Sequence, residues 1–348
     1  MSFGKPIELK SRLMRVEGGE LDMGKLAMVD ALADSVADRT ITPEQGMQQL
    51  DAIVAGRPRF GRLLSMLVTG VTSGALVVFF GGGLWDVALA GAIGLTLGSL
   101  AQLIQRSTDQ ARVFELVGAA FAACTADLVS STSAKISPSI VTLAALVVLL
   151  PGLSLTVAMT ELATRNLIAG TARLMSAVIV LLELVIGVAI GERIAHALVE
   201  VHHGTPVPLP EYANWIALAA SSVGVAVLVQ AQLRAFGWII AACVLAYVST
   251  RFGSEWLGAQ LGVLVGAFAL AVLANLYARY LDRPAQVVSV PALLLLVPGG
   301  MGFRGMSSLL DRDTLTGVET LFAMFIVATS IVAGQLIANA LIQPRRSL

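Results

Sequence analysis

The sequence predicts an all-α, polytopic membrane protein: about ten transmembrane helices in two five-helix inverted repeats with broken helices, behind a short helical cytoplasmic segment. Composition points that way first. The chain of 348 residues is 56% hydrophobic and 13% charged, with a mean hydropathy of +0.82, whereas soluble domains carry about 25% charged residues. Second, from residue 62 onward, apolar runs of about 20 residues, the length that crosses a bilayer core, follow one another with short polar gaps. Third, the chain contains itself twice. Ala145-Leu-Val-Val-Leu-Leu-Pro151-Gly152 returns as Ala292-Leu-Leu-Leu-Leu-Val-Pro298-Gly299, and Met159/Met306, Leu162/Leu309, Arg165/Arg312, Gly170/Gly317, Leu174/Leu321 and Gly187/Gly334 keep the same offset, about 147 residues. Leu116-Val-Gly-Ala and Leu264-Val-Gly-Ala, then Ala126-Asp-Leu and Ala274-Asn-Leu, repeat at nearly that spacing. The offset covers about five apolar segments, an odd number, so the second copy enters the lipid upside down.

Residues 1–61 are polar and charged, with no apolar run long enough for a signal peptide. Leu26 to Ala37 places apolar residues at helical spacing. Thr42-Pro-Glu-Gln45 reads as a helix start, with Thr42 as N-cap, Pro43 at the first position and Gln45 reaching back as its capping-box partner. Met47, Leu50, Ile53 and Val54 form the apolar stripe of that helix. Two short amphipathic helices on the cytoplasmic mouth are expected, with membrane-surface binding as the alternative.

The expected crossings are 63–80, 86–104, 113–130, 138–159, 171–197, 213–230, 236–250, 257–280, 285–305 and 317–342. They divide the chain into a cytoplasmic segment (1–61), a first repeat (62–200), a periplasmic linker with three prolines (201–211), a second repeat (212–343) and a cytoplasmic tail (344–348). Arginines decide the orientation. With both termini inside, Arg57, Arg59, Arg62, Arg106, Arg112, Arg165, Arg173, Arg234, Arg279, Arg283, Arg345 and Arg346 flank the inner ends, against Lys135, Arg193, Arg251, Arg304 and Arg312 outside. Gly70/Gly74, Gly94/Gly98, Gly187/Gly191 and Gly258/Gly262/Gly266 are spaced four apart, which lets membrane helices approach closely.

Spans four and nine are the expected substrate site. Each is an apolar run ending in Pro-Gly: proline removes a backbone donor, and glycine tolerates the non-helical backbone that follows. A plain proline kink is the ordinary alternative. Two such breaks at repeat-equivalent positions instead suggest unwound segments whose amides meet a carboxylate and whose carbonyls meet an ammonium, the two ends of an amino acid zwitterion. Pro151, Gly152, Ser154, Pro298, Gly299 and Asn275 are the candidate substrate-binding residues, Asn275 holding either substrate or a partner helix. Asp127 in span three and Glu183 in span five are the candidate proton carriers, their repeat partners being the neutral Asn275 and Ser330. Carboxylates at membrane depth are costly and functional by default, although a structural hydrogen bond between helices would also keep them. Glu161 and Arg165 form an i, i+4 pair beyond the first break, and Arg165 has its twin in Arg312 on the opposite face. Gating, or guidance of a substrate carboxylate, is as compatible with them as a surface ion pair.

Enzymatic readings are set aside: the chain has no Gly-x4-Gly-Lys-Ser/Thr loop, no His-Glu-x-x-His and no Gly-x-Ser-x-Gly. Gly300-Met-Gly302-Phe-Arg-Gly305 spells a dinucleotide fingerprint without its strand–turn–helix context. No cofactor is expected. No metal is expected either, since His202 and His203 lack ligand spacing and His196 stands apart. Cys124 and Cys243 sit in apolar runs as small hydrophobes. With a net charge of +0 and dispersed basic residues, no nucleic-acid partner is expected. The expected partners are the lipid bilayer, a small amino acid and protons; homo-oligomerisation is left open.

The paired Leu-Leu-Pro151-Gly152 and Leu-Val-Pro298-Gly299 motifs, Phe80-Gly-Gly-Gly with Trp85-Asp86, Asp127 in span three and the five-plus-five layout resemble the threonine/serine exporter family of bacterial membrane proteins. The resemblance covers nearly the whole chain. It implies export of threonine and serine across a bacterial inner membrane, driven by the proton motive force. From the residues alone, a transporter of another small solute such as an organic acid, or a channel or scaffold subunit, stays open.

Overall fold

The computed structural model describes residues 2–3, 10–11, 21–104, 113–133, 135–200 and 204–343. Among the described residues, seven stretches are long and apolar enough to cross a membrane: Arg62–Phe79, Leu84–Leu103, Leu167–Leu198, Leu233–Leu257, Ala259–Leu281, Gln286–Leu310 and Thr314–Leu341. One small addition to the expectation is an antiparallel pairing of β1 (Ser2–Phe3) with β2 (Lys10–Ser11). Among the described residues the fold is otherwise built of helices, as a polytopic membrane protein requires.

Two helices precede the apolar part, α1 (Met23–Ala37) and α2 (Pro43–Ala55). Then come α3 (Arg62–Phe79), α4 (Leu84–Ile104), α5 (Phe114–Ser130), α6 (Pro138–Leu146), α7 (Gly152–Ala163) and α8 (Leu167–Leu198). After the linker follow α9 (Tyr212–Leu228), α10 (Leu233–Leu257), α11 (Ala259–Leu281), α12 (Gln286–Leu296), α13 (Gly299–Leu310) and α14 (Thr314–Leu341). Spans four and nine are each two helices in succession, α6/α7 and α12/α13, separated at Pro151 and Pro298.

The second half repeats the first in detail. α7 and α13 are both 12 residues long and start at the glycines of the two Pro-Gly pairs. The turn after each holds an arginine in the left-handed region, Arg165 at φ 66° and Arg312 at φ 65°. α5 packs on α8 as α11 packs on α14. Gly187 brings α8 against the Leu116 carbonyl, and Gly334 brings α14 against the Leu264 carbonyl; a side chain at either would strike backbone. Across the halves, α3 packs on α9, α7 on α13 and α14, and α8 on α13.

Of the four-apart glycines, Gly258 corrects the expectation. It is the α10–α11 turn, with φ 82° and open space where a side chain would stand. Gly262 and Gly266 do make the helix contact, against Ser254 and Thr250.

α1 and α2 form a hairpin on the α9–α10 turn, where Met23 N donates to the Val229 carbonyl at 2.8 Å and Phe60 N to Gln230 Oε1 at 2.8 Å. Asp22 caps α1, and the Thr42/Gln45 capping box starts α2. The apolar stripe of α2 is only half used: Met47 and Val54 stay 59% and 65% exposed. α2 meets α1 through Gly46, which lies against Val36 and turns that row away from the contact. Residues 204–209 of the linker form no helix, and Val207 covers the backbone of Gly83. Arg106, Arg112, His202, His203, Arg345, Arg346 and the tail 344–348 lie outside the described residues.

Candidate functional site

The two breaks meet. Pro151 and Pro298 adopt almost the same backbone, φ −79° ψ 39° and φ −81° ψ 29°, and neither helix start has a side-chain cap. A β-carbon on Gly152 would lie 3.3 Å from the Gly299 α-carbon, and one on Gly299 3.2 Å from the Gly152 α-carbon. Only paired glycines allow that approach. The first internal hydrogen bonds are donated by Leu155 to the Pro151 carbonyl at 3.0 Å and by Gly302 to the Pro298 carbonyl at 3.1 Å. Three amides precede each bond, Gly152 to Ser154 and Gly299 to Met301, and these are the orphan donors of a helix start. Pro151, Gly152, Pro298 and Gly299 are thus brought together, with Ser154 half-buried on the first turn of α7. Uncapped helix starts leave donors to be satisfied, and their dipoles favour an anion.

Asp127 is buried, 4% exposed, and its Oδ2 lies 3.9 Å from His196 Nε2 on α8. One turn earlier on α8, Glu192 lies within electrostatic reach of Asp127, His196 and Asp311, the C-cap of α13. Glu192 and His196 are exposed. The same positions in the second half carry amides: Asn275 corresponds to Asp127 and Asn339 to Glu192. Asn275 Nδ2 donates to Asn339 Oδ1 at 2.8 Å and to the Ile342 carbonyl at 2.8 Å. Both its amide hydrogens are spent on α14 and the residue that follows it, which is the partner-helix contact, one of the two roles expected of Asn275. Glu183 lies nine residues before Glu192, about 14 Å along the helix. It is half-buried with Glu115 as its charged neighbour, and the structure does not bring it to the Asp127 group.

The Glu161–Arg165 pair is also corrected. α7 ends at Ala163 and Arg165 turns left-handed, so the helical spacing that would align the two is lost. Glu161 instead takes a two-pronged contact from Arg173 on α8, at 3.0 and 3.1 Å. Arg165 and Arg312 stand exposed on equivalent turns.

Three residues of the site escaped sequence reasoning. Glu192 and His196 gain significance only through Asp127 on α5. Arg304 counted merely as an outer flank; its guanidinium lies 5.1 Å above the Phe80 ring, which belongs to the other half. Asp86, fully buried, accepts from Gly83 N and Ser137 N at 2.8 Å each, fixing the turn that carries Phe80.

With this geometry in hand, comparison with known proteins is informative. A threonine/serine exporter family model matches residues 1–195. A second, described as threonine/serine exporter, ThrE, matches residues 214–341. Pheromone-regulated membrane protein 10 of Saccharomyces cerevisiae strain S288c is 26% identical over 333 residues, 92% of this chain and 86% of that protein. Proteins of the same name from Zygosaccharomyces rouxii and Kluyveromyces lactis are each 26% identical, over 89% and 92% of this chain. The chain spans only 32% and 35% of the length of those two. No solved structure matches.

Proposed function

The chain belongs to the threonine/serine exporter family, and from that premise we propose that it is a ten-crossing secondary transporter exporting small neutral amino acids, threonine and serine, in exchange for protons. The observation that carries the reading is the contact between two uncapped helix starts, Gly152 against Gly299, at equivalent positions of two halves. The three shorter crossings, α5, α6/α7 and α9, complete the seven apolar stretches to ten. The two halves then run oppositely through the bilayer, with both termini in the cytoplasm. On this reading the Arg165 turn lies inside and the Arg312 turn outside, and the host membrane is the cytoplasmic membrane of a bacterium.

The breaks supply what a zwitterion needs. Orphan amides of α7 and α13 donate to its carboxylate, and carbonyls released before each proline accept from its ammonium. Because the two starts face each other, a shift of one half against the other exposes the same site to either side. The proton enters from the outer face. α8 has 32 residues, about 48 Å, which exceeds a hydrocarbon core of about 30 Å. Its outer end therefore brings Glu192 and His196 to water beside buried Asp127. A carboxylate there binds and releases a proton, whereas the Asn275–Asn339 pair does neither; the first half titrates and the second holds its shape. Glu183 is the alternative carrier. The amides suit any small carboxylate, so an organic acid is the second reading.

The test uses proteoliposomes loaded with labelled threonine or serine. Acidifying the outside is expected to speed efflux about fivefold, and Asp127→Asn to abolish that response while threonine exchange at equal pH persists. Efflux equal to empty vesicles, or independent of the gradient, contradicts the proposal.

A further inference from the structure

Arg304 is the one cation placed on a broken helix just beyond the Pro-Gly pairs; its repeat counterpart is Val157. It stands on α13, five residues after Gly299. Among the described residues, no carboxylate lies at ion-pair distance from its guanidinium, and its recorded partner is the Phe80 ring. Gly300 lies one helical turn earlier on the same face, and a β-carbon there would come 3.9 Å from the tip of that ring. Phe80 therefore bridges Gly300 and Arg304. Helical side chains lean toward the N-terminus, so the guanidinium reaches back toward the start of α13, where the amides of Gly299, Gly300 and Met301 precede the first internal bond. Gly300 adds no side chain of its own between that ring and the helix start. Arg304 is exposed, and a cation with no protein carboxylate beside it is open to an incoming anion. Arginine over an aromatic face, next to backbone donors, makes a planar, bidentate receptor for a carboxylate.

We infer that Arg304, steadied by Phe80, and the opening amides of α13 form the subsite that recognises the substrate's carboxylate. This rests on the exporter reading, and it gives the two breaks unequal roles. α13 holds the carboxylate, and the start of α7, which has no cation at the equivalent place, faces the rest of the substrate.

Competition against labelled threonine uptake in proteoliposomes, comparing unlabelled threonine with threonine amide, tests it. The amide keeps the ammonium and hydroxyl and loses the carboxylate. Wild-type protein is expected to prefer threonine by about 100-fold, and Arg304→Gln to raise the half-saturating threonine concentration about 30-fold while leaving that of the amide unchanged. Arg304→Lys, which keeps the charge and loses the fork, is expected to fall between. Phe80→Leu should weaken threonine binding about threefold, with Phe80→Tyr restoring it. The inference is overturned if Arg304→Gln or Arg304→Lys keeps wild-type discrimination, or if both ligands weaken equally, as for a structural arginine. Should wild-type protein transport only another carboxylic acid, the amino acid reading fails, and the same acid-against-amide comparison on that solute still decides the role of Arg304. Transport restricted to solutes without a carboxylate overturns both.

Discussion

At the scale of single residues, the account turns on Gly152 and Gly299, whose α-carbons each lie within 3.3 Å of where the other's β-carbon would stand. Gly152→Val places two methyl groups in that contact and against the Val297 side chain. The expected result is at least about a tenfold loss of threonine exchange with membrane insertion intact, because overpacking of this kind costs about 1–3 kcal/mol. Glu192→Gln is expected to weaken the response to outside acid while leaving exchange at equal pH unchanged, which a pH series of efflux rates measures. The Pro-Gly pairs were legible in the sequence because a missing N–H and a missing β-carbon are properties of the residue itself. Glu192, His196 and Arg304 were not, since their neighbours Asp127, Asp311 and Phe80 come from other helices. Arg165 misled for a related reason: the i, i+4 rule presumes a continuing helix, and nothing local announces a non-glycine residue at φ 66°.

Helix by helix, the sequence carried most of the layout, since an apolar run of fixed length and a proline are local signals. The cap of α2 at Thr42 is where the Thr-Pro-Glu-Gln pattern puts it. The shape of the breaks was less readable. α6 ends at Leu146, well before Pro151, whereas α12 continues to Leu296, directly before Val297 and Pro298. In the first half, the chain between helix end and proline is held by tight turns, with Leu149 N and Leu150 N both donating to the Leu146 carbonyl. Pro298→Ala restores a backbone donor and favours one continuous α12–α13 rod. It is expected to cut transport about tenfold without lowering the melting temperature in detergent. Asn275→Ala should do the reverse. Loss of its two bonds to α14 destabilises by about 1 kcal/mol, read as a lower melting temperature, while proton coupling stays as in wild type.

For the molecule as a whole, internal repetition is the feature on which the proposed transport rests, and it was visible because the offset of about 147 residues survives in many separate pairs. Packing between the halves was beyond sequence reasoning. No pattern in α3 or α9 states that Gly224 lies against Thr72, or that the α1–α2 hairpin rests on the α9–α10 turn. The halves differ at the positions to which the proposal assigns the proton, with carboxylates at Asp127 and Glu192 where the second half has amides at Asn275 and Asn339. Opposed orientation is the claim from which alternating access follows, and two exposed, repeat-equivalent residues test it most directly: Thr164, the C-cap of α7, and Asp311, the C-cap of α13. With Cys124 and Cys243 replaced by alanine, Thr164→Cys and Asp311→Cys are labelled separately in intact cells with a membrane-impermeant maleimide. The account predicts that Asp311→Cys reacts from outside and Thr164→Cys only after permeabilisation; labelling of both from the same side contradicts it.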